Sequence, residues 1–351
     1  MNSQRRFPQQ GQLLSVIIVS LLAIAVIVGL SLKKRPRIQI VQATAEPALP
    51  SDSLIGPAEP ENLCPEIAAV FHEPGRIDVL TGYGIFTSNR DSLGWGDPLA
   101  DPFQAEGRQL NCIYYDDDKL LVGGDCLTIM GTDYIEVFSD HDFGAPINVI
   151  LKFGEAYLVG TTGGLHYLNP GADPEPIDTI LKADILVSRL AEDQDGLWIG
   201  TFGNGLWRFD GHKWQRRYLT RDTSIFDFVS ALDYSYPFLW VGTPSGIFRY
   251  DGGTWKQLFA ADSSEIYEVN CFLPLALHTY IGTEQGLFVY AGDSLTAVPE
   301  FADERIIGLF KDQKDVLVAT RDNGIFNLQG KEAVLRPEQL TADRNVMAAT
   351  Q

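Results

Sequence analysis

The sequence predicts an all-β fold, a seven-bladed β-propeller preceded by one N-terminal transmembrane helix. Three observations predict it: a phrase that recurs about every 40 residues, period-2 alternation of apolar residues inside each copy, and a charge-free apolar run near the N-terminus.

Along the chain, residues 1–12 are a short polar tail, and residues 13–32 read as the membrane helix. Leu13 to Leu32 is 20 residues without a charge, enough at about 1.5 Å per residue to span a hydrocarbon core of about 30 Å. A cleaved leader is the competing reading, because Ala43-Thr44-Ala45 has the small-x-small form of a cleavage site. The apolar run is longer than a leader's, and Lys33, Lys34, Arg35 and Arg37 stand between it and that site, so an uncleaved anchor is expected. Arg5 and Arg6 precede the helix and four basic residues follow it, a small asymmetry that by itself favours a cytoplasmic body. Residues 33–63 combine this basic flank with a Pro/Ala-rich tether carrying Pro47, Pro50, Pro57 and Pro60.

Residues 64–340 hold the repeats, and residues 341–351 a C-terminal tail. The phrase is an apolar pair or triplet, Gly-Thr, a short turn, Gly, then an alternating apolar stretch. Its fullest copies are Leu197-Trp198-Ile199-Gly200-Thr201 with Gly205-Leu206-Trp207-Arg208-Phe209-Asp210-Gly211, and Leu239-Trp240-Val241-Gly242-Thr243 with Gly246-Ile247-Phe248-Arg249-Tyr250-Asp251-Gly252. The residue preceding the Leu or Ile of the third strand falls at 84, 126, 164, 205, 246, 286 and 324, at intervals of 42, 38, 41, 41, 40 and 38. Such a period suits a helical repeat as well as a propeller blade, and the short β-branched and aromatic runs with Gly-bearing turns select the blade. In the fourth unit the strands are expected at Val187 to Glu192, Leu197 to Thr201, Gly205 to Asp210 and Lys213 to Leu219. The Gly that opens each third strand is expected to serve a tight turn at positive φ.

Asp195-Gly196-Leu197-Trp198-Ile199-Gly200-Thr201, continuing through Gly205-Leu206 to Phe209-Asp210-Gly211, resembles the two-component-regulator propeller repeat of bacterial sensor proteins. The resemblance covers about residues 64–340 and is strongest in units four and five. It implies a periplasmic propeller tethered to the bacterial cytoplasmic membrane, which outweighs the small charge asymmetry around the helix. Such sensors carry a second propeller, a further β-domain and a kinase. This chain reads as a lone propeller, so a phosphoryl signal would have to pass through another protein.

All 46 acidic residues lie beyond residue 40, whereas six of the 27 basic ones precede it. A body so acidic repels phosphate backbones, which excludes nucleic acid as a partner and favours basic or cationic ones. Cys64, Cys112, Cys126 and Cys271 show no metal-ligand spacing; Cys112 and Cys271 occupy matching places in non-adjacent blades and are expected not to pair, while a Cys64–Cys126 link stays open. His72, His141, His166, His212 and His278 are scattered and read as ordinary surface or edge residues. No catalytic or phosphate-binding motif is present, so neither a cofactor nor a metal is expected and the chain is read as non-enzymatic.

The expected recognition surface is the face made by the turns between second and third strands and by the links between blades. Those links are Asp-rich with aromatics: Trp95 to Gln109, Asp140 to Phe143, Asp222 to Phe228, Asp262 to Tyr267 and Glu300 to Glu304. The candidate partner-binding residues are Trp95, Asp101, Phe103, Phe143, Phe202, Phe226 and Phe301, aromatics and acids suited to a basic protein segment. Asp and Ser also form turns well, which is the plainer reason for their presence. Two functions follow: a scaffold or accessory subunit of a membrane protein complex, or a periplasmic module that senses a glycan or other small molecule and signals through a partner.

Overall fold

The computed structural model describes residues 38–39 and 67–335, except 74–75, 82–83, 90–109, 117–118, 132–133, 178–184, 218, 220–227, 245, 261–267, 313–314 and 330–332. Residues 170–172 form a turn with Gly171 at φ 73°. Seven antiparallel sheets make up the blades of a β-propeller. Their innermost strands are Ile67–Glu73, Leu110–Asp116, Ile147–Phe153, Val187–Asp193, Ala231–Ser235, Val269–Pro274 and Ile306–Asp312. Blade 4 runs Val187–Asp193, Gly196–Thr201, Leu206–Phe209 and Trp214–Arg217 in that spatial order, close to the boundaries the repeat predicts. Blade 1 has three described strands. Ile38–Gln39, within the predicted tether, pairs with Tyr134–Phe138 at the outer edge of blade 2, Ile38 opposite Ile135. The predicted membrane helix 13–32 lies outside the described residues, and among those described no helix is long and apolar enough to cross a membrane.

The core is a ring of seven layers, one between each pair of neighbouring blades. One contact recurs through it. The Gly of each Gly-Thr pair sits on the second strand, and the β-branched residue that starts the next blade leans onto its bare Cα. A Cβ at Gly123, Gly160, Gly200, Gly242 or Gly282 would lie 2.6 Å from Ile147, Val187, Val229, Val269 or Ile306 respectively. That is closer than carbon atoms approach, so glycine here is required by its neighbour and not by its own φ. Blade 7 has Ala319 at this position and compensates with Gly308 opposite it on the inner strand.

The Thr of each pair is also explained. Thr161, Thr201, Thr243, Thr283 and Thr320 are buried and donate from Oγ1 to the carbonyl of Gly164, Gly205, Gly246, Gly286 and Gly324 at 2.6–3.1 Å. Those five glycines have positive φ, between 72° and 144°, as the turn requires.

The ring closes by packing between blades 7 and 1. The Ile67 amide donates to the Arg321 carbonyl at 2.9 Å, and Ile67, Val79 and Phe86 share a layer with Leu317, Ala319 and Ile325. His72 packs at a tilt against Phe310, ring centres 5.7 Å apart, and approaches Asp312 at 3.7 Å. Blade 7 draws its outer strand, Ala333–Leu335, from its own sequence, so among the described residues no strand is exchanged between the chain's two ends.

Replacing Gly200 by Ala is expected to cost about 1–3 kcal/mol through overpacking against Val229. Gly253→Ala, whose Cβ meets nothing nearer than 3.8 Å, should be close to neutral. Urea unfolding of both variants, and of Gly200→Ala combined with Val229→Ala, checks this: the double variant should recover part of the loss.

Candidate functional site

The residues expected on the recognition face divide. Trp95, Asp101, Phe103 and Phe226 lie outside the described residues. Phe202 is half-buried in the second-to-third-strand turn of blade 4, its ring 5.4 Å from that of Phe228. Phe143 and Phe301 do not stand on an open face. Phe143, at the end of the short helix Asp140–Phe143, is 5% exposed and packs edge-on against Phe138 and His166; Phe301 is fully buried against Phe326. Each ring plugs the end of an inter-blade layer, where apolar burial outweighs any role in recognition. His166 is likewise interior, contrary to the expectation of a surface or edge residue.

Where Phe143 was expected, the face instead has an opening of about 570 Å³ between blades 2 and 3. It is lined by Asp125 and Cys126 of the blade 2 turn, Val137 of the outer strand, and Ser139, His141 and Ala145 of the link. The link is held by Asp142, whose carboxylate accepts from the Ser139 amide at 2.8 Å and its hydroxyl at 3.0 Å. Cys64 lies outside the described residues.

A second feature lies at the channel itself. The second residue of each inner strand is a β-bulge in six blades: Ala68, Asn111, Asn148, Ser188, Asn270 and Ile307. A bulge re-aims its side chain. The polar ones reach the next blade: Asn111 Nδ2 donates to the Ile147 carbonyl at 2.9 Å, Asn148 Nδ2 to Val187 at 3.0 Å, Ser188 Oγ to Val229 at 2.6 Å, and Asn270 Nδ2 to Ile306 at 2.9 Å. The residues that follow form one layer around the channel by their register: Ala69, Cys112, Val149, Arg189, Ala231, Cys271 and Gly308.

Arg189 is the one charged member of that layer. Burial lowers its pKa, opposed by Cys271, Glu268 and Cys112, which belong to blades 6 and 2; a charge felt on both stands within the channel. It donates to the carbonyl of Ser188 at 2.8 Å, and no carboxylate among the described residues forms an ion pair with it. Cys112 and Cys271 carry free thiols that burial pushes up to about 12, so they are inert at neutral pH. They pack over Gly123 and Gly282. Asp233, on the inner strand of blade 5, is pushed up to about 6 by burial. Among the described residues no group of three or more His, Cys, Asp or Glu side chains is placed to hold a metal ion.

Sequence reasoning missed Arg189. Its signal was available: with the seven inner strands aligned, it is the single basic residue in a column of small or apolar ones. Asn111 and Asn270 were visible beside the matching cysteines, but only the bulge shows what they bond.

No family model matches the sequence, and no curated protein matches it. Among solved structures, the chain is similar to an extracellular domain described as belonging to a hybrid two-component system of B. thetaiotaomicron: 20% identity, TM-score 0.61, covering 78% of this chain and 39% of that one. A second such domain from the same organism gives 15% identity and a TM-score of 0.55, covering 74% and 39%. The chain therefore spans about two fifths of the length of these domains. It is also similar to a catalytically inactive virginiamycin B lyase of Staphylococcus aureus with quinupristin, at 10% identity and a TM-score of 0.63, over 76% of this chain and 95% of that one. At these identities the likeness establishes the seven-bladed propeller fold and no activity.

Asp233 fixes a pH dependence. The unfolded chain releases this proton near pH 4, the folded one near pH 6. The folded state thus binds the extra proton between these values, and stability falls as pH rises through that window. Asp233→Asn should remove that slope and raise stability at pH 7 by on the order of 2–3 kcal/mol. Denaturant unfolding at pH 4 and pH 7 measures it.

Proposed function

We propose that the chain is the binding module of a sensor: a non-catalytic propeller of the two-component-regulator type, held at the outer side of the bacterial cytoplasmic membrane by residues 13–32, with its output carried by a partner protein. The observation that carries this reading is Arg189, a cation in the channel without a carboxylate partner among the described residues. A cation so placed favours a ligand with an acidic group, and the low local dielectric strengthens that attraction. Asn111, Asn148, Ser188 and Asn270 make the bulge positions beside this layer polar, as small-molecule sites are in part. The likeness to extracellular domains of two-component systems supports the sensing role and the location outside the cytoplasm. The ligand class is a glycan fragment or other small polar molecule bearing a carboxylate or sulfate.

The reading of the propeller as a scaffold in a membrane complex is favoured by a different observation, two exposed apolar side chains at blades 5 and 6, Tyr236 and Leu277. The two readings combine in a sensor that delivers its signal by contact.

A thermal-shift screen of neutral and acidic sugars against the intact chain tests the sensing role. A ligand at 100 times its Kd should stabilise the fold by about 2.7 kcal/mol, and Arg189→Gln should abolish the shift. A panel in which no acidic sugar stabilises the wild-type chain counts against the proposal.

A further inference from the structure

The face opposite the links is made by the turns that join first to second and third to fourth strands. In blades 1, 2, 4 and 7 the inner strand ends there on an acid, Glu73, Asp116, Asp193 and Asp312, and in blade 3 on Phe153. Blades 5 and 6 also lack the acid and carry Ser235-Tyr236-Pro237-Phe238 and Pro274-Leu275-Ala276-Leu277-His278 there. Tyr236 is 72% exposed and Leu277 87%. Between the two turns runs a groove of about 540 Å³, with Phe238, Trp240, Arg249 and Tyr290 among its lining residues.

Blade 4 supplies the template for what this groove lacks. Trp198 and Arg208 face each other across the second and third strands, with the guanidinium 5.0 Å from the indole ring. Both donate to one carboxylate oxygen of Asp193, Trp198 Nε1 at 2.6 Å and Arg208 Nη2 at 3.2 Å. The strand register places Ser235, Trp240 and Arg249 at the same three positions of blade 5. Arg249 lies over Trp240 at 5.7 Å and over Phe238 at 4.2 Å. Here Ser235 replaces the acid. The Trp240 Nε1 atom is buried without a hydrogen-bond partner, and Arg249 has no ion-pair partner among the described residues. The one acid in the groove wall, Asp293, accepts from Lys256 and from the Tyr290 hydroxyl, each at 2.6 Å, and feels Arg249 only through space. Blade 5 has kept the donors of a carboxylate site and lost the carboxylate.

We infer that this groove docks an acidic and apolar segment of a partner protein. An Asp or Glu carboxylate of the segment takes in blade 5 the place Asp193 holds in blade 4, and its apolar neighbours cover Tyr236 and Leu277. A charge-assisted bond to Arg249 together with the indole N–H defines the anion. Leu277 decides for a macromolecule: a compound confined to the groove leaves that side chain in water, whereas a polypeptide surface buries it. The inference rests on the reading that output passes through a partner protein, and is independent of the ligand at Arg189.

The test is selection from a randomised nonapeptide library against the full chain in detergent micelles, followed by fluorescence anisotropy with a labelled peptide of the enriched sequence. The expected consensus has Asp or Glu flanked by Leu, Ile or Phe. Binding should weaken at least tenfold when that acid becomes Asn or Gln in the peptide, and likewise in Arg249→Gln and Leu277→Ser. Ser235→Asp, which restores the blade 4 arrangement from within, should raise the melting temperature and also weaken peptide binding at least tenfold. A selection with no acidic consensus, or Ser235→Asp that neither stabilises nor blocks, overturns the inference. So does binding to phosphatidylglycerol vesicles through Arg249 and Leu277 in place of peptide, which would assign the face to a lipid surface. Arg189→Gln should leave peptide binding intact, so failure of this site and failure of the ligand reading are separately visible.

Discussion

A missing Cβ holds this propeller together. At five of the seven junctions, the β-branched side chain that begins one blade rests on a glycine in the second strand of the blade before it, with no space for even a methyl group between them. Close packing of this kind maximises dispersion contact and excludes water from the inner edge of each layer. The angle between blades follows from it, because two sheets approach only as far as the Ile or Val knob and the glycine allow. A larger residue in the hole pushes one junction apart, and in a closed ring that displacement must be absorbed by the others. Blade 7 shows the rule by exception: Ala319 fills the hole, and Gly308 opposite it yields the space.

The other recurrent bonds are arranged around this contact. In blades 3 to 7 the buried Thr after this position turns its hydroxyl onto the glycine carbonyl that opens the third strand, so that a buried polar group is satisfied locally. The bulge one position after the knob sends Asn111, Asn148, Ser188 or Asn270 across to the next blade's carbonyl. Apolar packing thus sets the spacing, and a directional bond beside it sets the register. The closing junction between blades 7 and 1 lacks such a side chain, since Ile307 occupies its bulge, and relies on the Ile67 amide and the apolar layer beneath it.

Both candidate functional positions are departures from the repeat. Arg189 is a charge in a column of neutral residues, and Ser235 a serine where blade 4 has an acid. In an assembly of near-identical units, a residue that breaks the pattern without relieving a packing conflict costs stability at that place, as the lone Arg189 guanidinium and the unbonded Trp240 indole do. Local inconsistency of this sort marks function in otherwise consistent folds. Neither position carries the aromatic and acidic character by which the recognition face was first sought. Phe143 and Phe301 have that character and are core residues: a phenyl ring in a link is as well suited to sealing a layer as to gripping a partner.

The sequence by itself determined the seven-bladed architecture and, in blade 4, the strand positions to within a few residues. Strand order and the positive-φ turn follow from local chemistry, glycine freedom and period-2 alternation, which act within ten residues of chain and are written there directly. It also held the clues to Arg189 and Ser235, as outliers in a column of aligned repeats. Only the tertiary structure decided which side chains meet across blades. Whether Phe202 lies at the turn and Phe301 inside, and which donor lacks its acceptor, depend on contacts between neighbouring strands and blades. Those contacts come into being when the ring closes, and spacing along one strand does not encode them.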